Sequence, residues 1–352
     1  MAACAAHSTR SRAWFIPARD TARMAALGVL LILAMAASMV AGAYDISMAE
    51  VWKSIAAHVS GNTPDIPRVR DVIVWKIRTP RLILAAVSGM ALGVSGAAYQ
   101  GCFRNPLVEP YILGVSSGAA CGAALAILFP HTMPPLPITA FCTALLAVSV
   151  TGLLATNRGT VPPVALVLAG IIVGALFTAG VGIMKYLAAD TELREITFWM
   201  MGGFHYASWP DARLTTAIVL PGIACVWMFG WRLNVLSLGD EDARSLGVNP
   251  VALRRVLVVL ATVCAAACVA SAGIIGWVGL MAPHAARMLF GPDNRWVIPG
   301  SALLGAAYLL ICDTLARTLT SAEIPISILT SVLGAPYLLW LLRVKGRELY
   351  AG

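Results

Sequence analysis

An all-α polytopic membrane protein with about ten transmembrane helices is the fold that this sequence predicts. Of its 352 residues, 59% are hydrophobic and only 12% are charged, whereas an ordinary soluble domain carries about 25% charged residues. The charged residues are also clustered, which leaves long tracts that contain none of them. Because a transmembrane helix needs about 20 apolar residues, each tract is long enough, or nearly long enough, to cross a bilayer.

Two of these tracts are too long for one helix and are predicted to fold back. The tract 110–157 contains four prolines between positions 130 and 137, and proline removes an amide donor and disfavours helix before it. The tract 256–283 is predicted to break near Gly273 and Gly276, with its second part running past His284 and Arg287. The ten resulting spans are 24–44, 82–103, 112–129, 138–157, 159–184, 214–231, 256–273, 276–290, 297–316 and 324–342.

The basic residues predict the orientation of the spans. An even number of spans puts both termini on one side, and with the termini inside, the inner segments hold more than half of the 25 basic residues. Because Lys and Arg concentrate on the cytoplasmic side, both termini are predicted to be cytoplasmic. The chain then divides into an arm at 1–23, one transmembrane domain at 24–343 and a tail at 344–352. The net charge of +8 follows from this topology and requires no nucleic-acid surface.

The first apolar run has two interpretations. A basic stretch, an apolar run and Ala41-Gly42-Ala43 together resemble a cleavable signal peptide, but the run is longer than the core of a usual signal peptide. We therefore expect a retained first helix, with cleavage as the alternative. All cysteines except Cys4 lie in or beside apolar spans, where cysteine behaves as a small hydrophobe. Neither a disulfide framework, a metal site nor a cofactor is predicted.

The region after the first span contains the first motifs. Arg78-Thr79-Pro80-Arg81 precedes the second span, in which Gly89 and Gly93 lie one above the other on a helix. Such small-residue faces let helices approach closely in lipid. Arg104-Asn105-Pro106 ends the span with a polar, helix-breaking turn, which would be costly if it faced lipid.

A polar segment between spans six and seven predicts a short helix on the cytoplasmic side. Acidic residues at its start suit the positive end of a helix, Asp240 can cap it, and Gly247 can terminate it. On its own, the segment is equally well interpreted as an ordinary solvated connection. The residues of interest in it are Asp240, Glu241, Asp242, Arg244, Ser245, Leu246 and Gly247.

The last third of the chain adds further motifs. Gly276-Trp277-Val278-Gly279-Leu280 is followed by Pro283-His284. No carboxylate or cysteine lies at ligand spacing from His284, so we interpret it as a structural histidine rather than a metal ligand. Asp313 and Arg317 lie one helical turn apart and can pair. Glu323-Ile324-Pro325 and Gly334-Ala335-Pro336 complete the set.

Taken together, these segments resemble the iron-chelate and cobalamin permease family of ABC importers. The resemblance runs from about Arg78 to Leu342, includes Trp199-Met200-Met201-Gly202-Gly203, and rests on the order of the motifs more than on any single one. The family has ten spans per subunit in a type II ABC importer permease fold, which agrees with the count above. Val161-Pro162-Pro163 departs from the family's polar gate turn, so that gate is left unassigned.

The resemblance implies a role for three groups of residues. The polar segment, within coupling helices at about 238–250, would dock in a cleft of the ATPase. Arg78, Arg81 and Arg317 would contact acidic residues of a periplasmic binding protein, although arginines at these positions can also extend to lipid headgroups. Asn105 and Leu107 would form a constriction at the inner end of the pathway, where two subunits face each other.

The resemblance also implies partners and a cargo. The partners are two cytoplasmic ATP-binding subunits, a periplasmic substrate-binding protein and a second permease copy in a bacterial inner membrane. The chain carries no P-loop of its own, because none of its lysines, at 53, 76, 185 and 345, follows a glycine. The cargo would be a metal chelate: a ferric siderophore, haem or cobalamin. Which chelate is carried, and whether the second copy is identical, stay open.

Two other functions were weighed. An ion-coupled secondary transporter ordinarily carries coupling carboxylates inside its spans, whereas Glu109, Asp313 and Glu323 lie at predicted ends of spans. An intramembrane metalloprotease needs His-Glu-x-x-His or a similar motif, and the sequence contains none. An ATP-driven permease without enzymatic activity of its own is therefore the function that the sequence predicts, with the secondary transporter as the alternative.

Overall fold

The computed structural model describes residues 18–42, 44–156, 162–320 and 322–349, and these residues form helices without a strand. Most of the predicted arm, including Cys4, lies outside the described residues, as do the last three residues of the tail and Val161 of the unassigned gate turn. The helices are α1 (Ala18–Val40), α2 (Met48–Ser60), α3 (Arg68–Val72), α4 (Thr79–Phe103), α5 (Val115–Leu128), α6 (Leu136–Ala155), α7 (Pro163–Leu187), α8 (Asp190–Met200), α9 (Trp209–Met228), α10 (Gly230–Leu238), α11 (Asp240–Ser245), α12 (Pro250–Ala272), α13 (Val278–Phe290), α14 (Asn294–Ala316) and α15 (Ile326–Leu349).

Each of the ten predicted spans corresponds to one helix, namely α1, α4, α5, α6, α7, α9, α12, α13, α14 and α15. Seven described helices are long and apolar enough to cross a membrane by themselves, whereas α5, α13 and α15 offer shorter apolar stretches. Both predicted breaks are present, since α5 ends before the prolines at 130–137 and α12 ends before Gly273. The predicted fold class is confirmed.

Two helices begin earlier than the predicted spans, for the same reason. The first span was placed at 24–44, but α1 begins at Ala18 and takes charged residues into its first turns. The sixth span was placed at 214–231, but α9 begins at Trp209, where the hydroxyl of Ser208 accepts the amide of Asp211 and caps the helix. A boundary drawn at the last charged residue is displaced, because charged side chains in a helical end turn can still reach water.

The sequence analysis missed the short helices α2, α3, α8 and α10, none of which is long enough to span a bilayer. A π-helical segment, Ile73–Arg78, joins α3 to α4. The helix α2 begins with a capping box, in which Ser47 accepts the amide of Glu50 and Glu50 accepts the amide of Ser47. A search for long uncharged tracts cannot find such elements.

The core is built around α4, which is buried along nearly its whole length and packs against α9, α12, α13 and α14. Its glycines allow direct contact between backbones. A Cβ atom added to Gly89 would lie 2.2 Å from the carbonyl oxygen of Gly305 in α14, and one added to Gly96 would lie 1.8 Å from that of Gly279 in α13. Larger residues at these positions would push the helices apart.

The two ends of this bundle carry different polar groups. We call the end with the loops 41–47, 201–208 and 317–325 the outer end, and the end with α10, α11 and the segments 104–109 and 291–293 the inner end. The naming follows the predicted orientation and serves only to locate residues.

Candidate functional site

The outer end holds an arginine cluster, which consists of Arg78, Arg81 and Arg317 together with Asp313 and Glu323. Arg81 lies at its centre and is only 8% exposed. Its Nε atom donates to Asp313 Oδ1 at 2.9 Å, and its two terminal nitrogens donate to the two carboxylate oxygens of Glu323 at 2.8 and 3.0 Å. Bidentate pairs of this kind are among the stronger hydrogen-bonded ion pairs in proteins.

Arg78 and Arg317 hold the C-terminal end of α1. Arg78 donates to the carbonyl oxygens of Met39 and Tyr44, both at 2.7 Å. Arg317 donates to the carbonyl oxygens of Ser38 and Ala41. The last carbonyl groups of a helix have no partner within the helix, so these two guanidinium groups satisfy acceptors that would otherwise be unpaired in a buried place.

This geometry changes the interpretation of the three arginines. The sequence analysis assigned them to a binding protein, with lipid headgroups as the alternative, whereas in the structure each of the three has partners within the chain. Asp313 and Arg317 approach to 3.6 Å, as their spacing allowed. Contact with a periplasmic binding protein stays a prediction, and it would require the arginines to exchange partners.

The short helix α11 at the inner end presents most of its residues to solvent. Glu241, Asp242, Arg244, Ser245 and Leu246 are exposed, the last of them to 55%, while Ala243 is fully buried. Gly247 terminates the helix as predicted, with φ +78°. The amide of Gly247 donates to Arg244 at 3.0 Å and that of Val248 to Ala243 at 2.8 Å, which is a Schellman motif.

Asp240 does not cap α11, contrary to the prediction. Gly239 occupies the N-cap position without a side-chain hydrogen bond, and Asp240 instead turns toward the bundle. Its carboxylate accepts Arg254 Nη2 at 2.9 Å and lies 3.9 Å from Arg104. The hydrogen bond from Arg254 lowers the pKa of Asp240; burial opposes this, and the charges of Arg254 and Arg104 add to it.

Arg254 ties this contact to the core. It is 1% exposed, and its Nε atom also donates to the carbonyl oxygen of Cys102, near the end of α4, at 3.2 Å. The position of α11 is therefore fixed to the central helix by a buried guanidinium group. Sequence reasoning assigned Arg254 only to topology, because a basic residue beside a span is the ordinary positive-inside pattern.

Asn105 and Leu107 lie in a tight turn after α4. The side-chain oxygen of Asn105 accepts the amide of Leu107 at 2.9 Å, which holds the turn in the manner typical of asparagine. Leu107 is 63% exposed. Asn105 therefore shapes the turn, and Leu107 is the side chain that it presents outward.

Two interrupted segments meet inside the bundle, and the sequence analysis missed their contact. The carboxylate of Glu109 accepts the backbone N–H of Trp277, and the hydroxyl of Tyr111 donates to the carbonyl oxygen of Ile275 at 2.8 Å. The helices that follow, α5 and α13, have 14 and 13 residues and are therefore about 20 Å long, short of a hydrocarbon core of about 30 Å. Non-helical backbone at membrane depth is tolerated where protein buries it, and these bonds provide that.

A cavity of about 570 Å³ opens at the inner end. We call it the inner cavity, and it lies beside α10, the helix that leads into α11. It is lined by Gln100, Gly101, Arg104, Asn105, Pro106, Asn234, Ser237, Leu238, Arg287, Pro292, Asp293 and Asn294. Among the described residues, no group of three His, Cys, Asp or Glu side chains is arranged to hold a metal ion.

Comparison with known proteins identifies the family. The model of the FecCD transport family matches residues 30–344. The chain belongs to this family. It is 39% identical over 332 residues to the hemin transport system permease protein of Yersinia pestis, covering 92% of this chain and 96% of that protein. It is 38% identical over 361 residues to the cobalamin import system permease protein of Halobacterium salinarum, covering 93% and 97%.

A solved structure agrees with the architecture. The structure of a metal-chelate type ABC transporter in an inward-facing conformation superposes with a TM-score of 0.82 at 34% sequence identity, covering 92% of this chain and 99% of that one. As a FecCD family member, this chain is the permease subunit of an ABC importer and a multi-pass membrane protein.

Proposed function

We propose that this permease carries a metal chelate, namely a ferric siderophore, haem or cobalamin, inward across the cytoplasmic membrane. Two relatives named for hemin and cobalamin, each covered over more than nine-tenths of its length, support the class of cargo. They differ from each other in cargo at nearly equal identity, so they do not favour one chelate.

The transporter would consist of two permease copies and two ATP-binding subunits, which hydrolyse the ATP. The observation that carries this proposal is α11, whose exposed residues stand on a helix that Arg254 fixes to the core. A rigidly held polar helix can transmit a displacement to the spans, whereas a loosely attached one would absorb it. Both termini would be cytoplasmic, and Leu107 would form the constriction that Asn105 holds in place.

A binding protein would deliver the cargo to the outer end. Its acidic side chains would take over N–H groups of Arg78, Arg81 and Arg317 that Glu323 and the carbonyl groups of α1 hold in the free chain. Glu323 is well placed for such an exchange, because 43% of its side chain is exposed while Asp313 is almost fully buried.

The test of the α11 assignment uses the double substitution Arg244→Glu, Leu246→Glu. We expect it to abolish ATP-dependent uptake into proteoliposomes and stimulation of the ATPase, while leaving insertion and folding intact, because both side chains are exposed. Arg343→Gln, at an exposed position on α15, serves as the matched control. Uptake at the wild-type rate by the double variant would refute the assignment, and uptake assays with labelled haem, a ferric hydroxamate and cobalamin would identify the cargo.

A further inference from the structure

The inner cavity contains a guanidinium group that has no carboxylate partner in the part of the chain that the structure describes. Arg287 is largely buried in its wall and donates to the side-chain oxygen of Gln100. Within the described residues, Arg287 forms no ion pair. Among the buried arginines, Arg81 pairs with Asp313, Arg254 pairs with Asp240, and Arg78 donates to three backbone carbonyl oxygens. Arg287, by contrast, has a single neutral acceptor among the described residues. A buried charge that is bonded only to a neutral amide is costly.

The remaining charges of the cavity do not compensate for Arg287. Asp293 is the only carboxylate among the described residues that line the cavity. That carboxylate already pairs with Arg295 at 2.7 Å and accepts a hydrogen bond from Asn234 at 2.7 Å. Arg104 adds a second guanidinium group, which is 43% exposed and lies 3.9 Å from an aspartate that Arg254 already holds. The cavity therefore has an excess of positive charge and suits a carboxylate.

The position of the cavity indicates where that carboxylate comes from. The cavity lies at the inner end of α4, the most buried of the candidate spans. Its wall includes Ser237 and Leu238 of α10, directly before α11, and Arg104 connects it to Asp240 on α11. A partner that binds α11 would cover the mouth of the cavity.

We propose that the inner cavity receives an acidic side chain of the ATP-binding subunit, which pairs with Arg287 and Arg104 when that subunit docks on α11. This inference rests on the proposed function and deepens it, because it adds the inner cavity to the contact surface that α11 forms with the ATP-binding subunit. The pairing neutralises Arg287 only in the complex. Docking is therefore favoured by relief of a charge that the free permease leaves uncompensated.

The first test compares stability with binding in the full chain. The Arg287→Gln variant removes a buried charge and should leave the thermal stability of the free permease unchanged or higher, yet weaken binding of the co-purifying ATP-binding subunit at least 10-fold. Arg104→Gly should behave alike, because Arg104 has φ +52°, a conformation that glycine adopts without strain. Arg343→Gln is the control. Binding is measured in nanodiscs of phosphatidylcholine alone, which excludes anionic lipid as the source of the effect.

A salt series adds a second measurement. Wild-type affinity should fall with ionic strength and the affinity of the two cavity variants should fall less, because an ion pair at the rim of a cavity is screened. If both cavity variants bind the ATP-binding subunit as tightly as the wild type does, the proposed pairing is refuted, whereas the α11 assignment is not affected. A wild-type permease that binds no ATP-binding subunit at all would refute the proposed function instead.

The second test identifies the carboxylate directly. In the Arg287→Lys variant, a water-soluble carbodiimide should join the introduced amine to a glutamate or aspartate of the ATP-binding subunit through an amide bond. Mass spectrometry of the cross-linked peptide then locates both residues. Arg343→Lys should give no cross-link at the same reagent concentration. Coupling only to Asp293 of the same chain, or no coupling in the assembled complex, would overturn the proposal.

Discussion

The outer arginine cluster and the inner cavity differ in the partners that they offer to their guanidinium groups. At the outer end, Arg81 has two carboxylate partners and Arg317 has one, while Arg78 satisfies the carbonyl groups of α1. At the inner end, the one hydrogen-bond acceptor of the Arg287 side chain among the described residues is the neutral side-chain amide of Gln100. The outer arginines thus find their partners within the subunit, whereas Arg287 has no carboxylate partner among the described residues and would gain one from the proposed docking.

The difference between the partners of the arginines at the two ends shows how a basic residue in a membrane protein should be interpreted. Position along the chain predicts where an arginine lies, but its partners decide what a substitution does. Removing a partner from the outer cluster should damage folding, and removing Arg287 should spare folding and damage assembly.

Asp313→Asn should destabilise the subunit most. Asp313 is 1% exposed and accepts from Arg81 while lying close to Arg317, so its loss leaves buried positive charge uncompensated, at a cost of about 3–5 kcal/mol. The measurement is the fraction of protein that stays monodisperse after heating, which is determined by size-exclusion chromatography. Glu323→Gln is the matched control and should cost less, because Glu323 is partly exposed. Equal stability of Asp313→Asn and the wild type would contradict the structural role of the cluster.

Arg254→Gln should have the next largest effect and should act on α11. It removes the hydrogen bonds to Asp240 and to the carbonyl oxygen of Cys102, and hydrogen bonds to charged groups contribute about 1.5–3 kcal/mol. We expect faster hydrogen exchange of the amides at 243–248 in the variant. The amides in the middle of α12 serve as the internal reference. Unchanged protection of α11 would mean that Arg254 does not hold the helix.

Gly42→Ala should have a smaller effect, confined to the end of α1. An added Cβ atom would lie 2.7 Å from Arg78 Nη2 and 2.9 Å from Arg317 Nη1. Gly42 also has φ +153°, where an added side chain strains the backbone, and both guanidinium ends would have to shift and weaken the cap, so we expect a loss of about 1 kcal/mol or more. Gly61→Ala, at φ +74° where the added atom meets nothing within 4 Å, is the control, because it adds backbone strain without touching the cap. Equal melting temperatures for the two variants would argue against the cap.

The pH dependence of α11 should be the smallest effect. The pKa of Asp240 is lowered in the folded state, chiefly by the hydrogen bond from Arg254, so its contribution to stability is present above the unfolded pKa and is lost as the pH falls through the lower folded value. Protection factors at 243–248 should therefore match at about pH 7 and about pH 5, and decrease only below the ordinary aspartate range of about 3.9. Asp240→Asn should remove this dependence, and a decrease between pH 7 and 5 would contradict the assignment.

Much of the fold could be predicted from composition, and the reason is physical. A helix that crosses lipid must be long and apolar, so the ten spans and both breaks could be located by counting. The short helices α2 and α8 follow no such requirement and were missed. The boundary of α9 was displaced because Ser208 caps the helix before its charged first turn.

The site could be predicted less completely, because its chemistry depends on contacts between distant residues. The end of α11 at Gly247 followed from local sequence, since a glycine in the left-handed conformation commonly ends a helix. The pairing of Asp240 with Arg254, and the neutral partner of Arg287, arise from helices far apart in the sequence. Nothing at the level of spacing distinguishes an arginine with two carboxylates from one with none.

The backbone contact between α4 and α14 limits how the subunit can move. The carbonyl group of Gly89 would lie 2.2 Å from a Cβ atom at Gly305, and the reverse distance is also 2.2 Å, so the two helices touch without side chains between them. Neither helix can rotate or slide past the other without first separating, because side-chain contacts can adjust by rotamer changes and bare backbones cannot. We therefore expect α4 and α14 to move as one rigid unit, with any rearrangement of the subunit taking place in the helices around them.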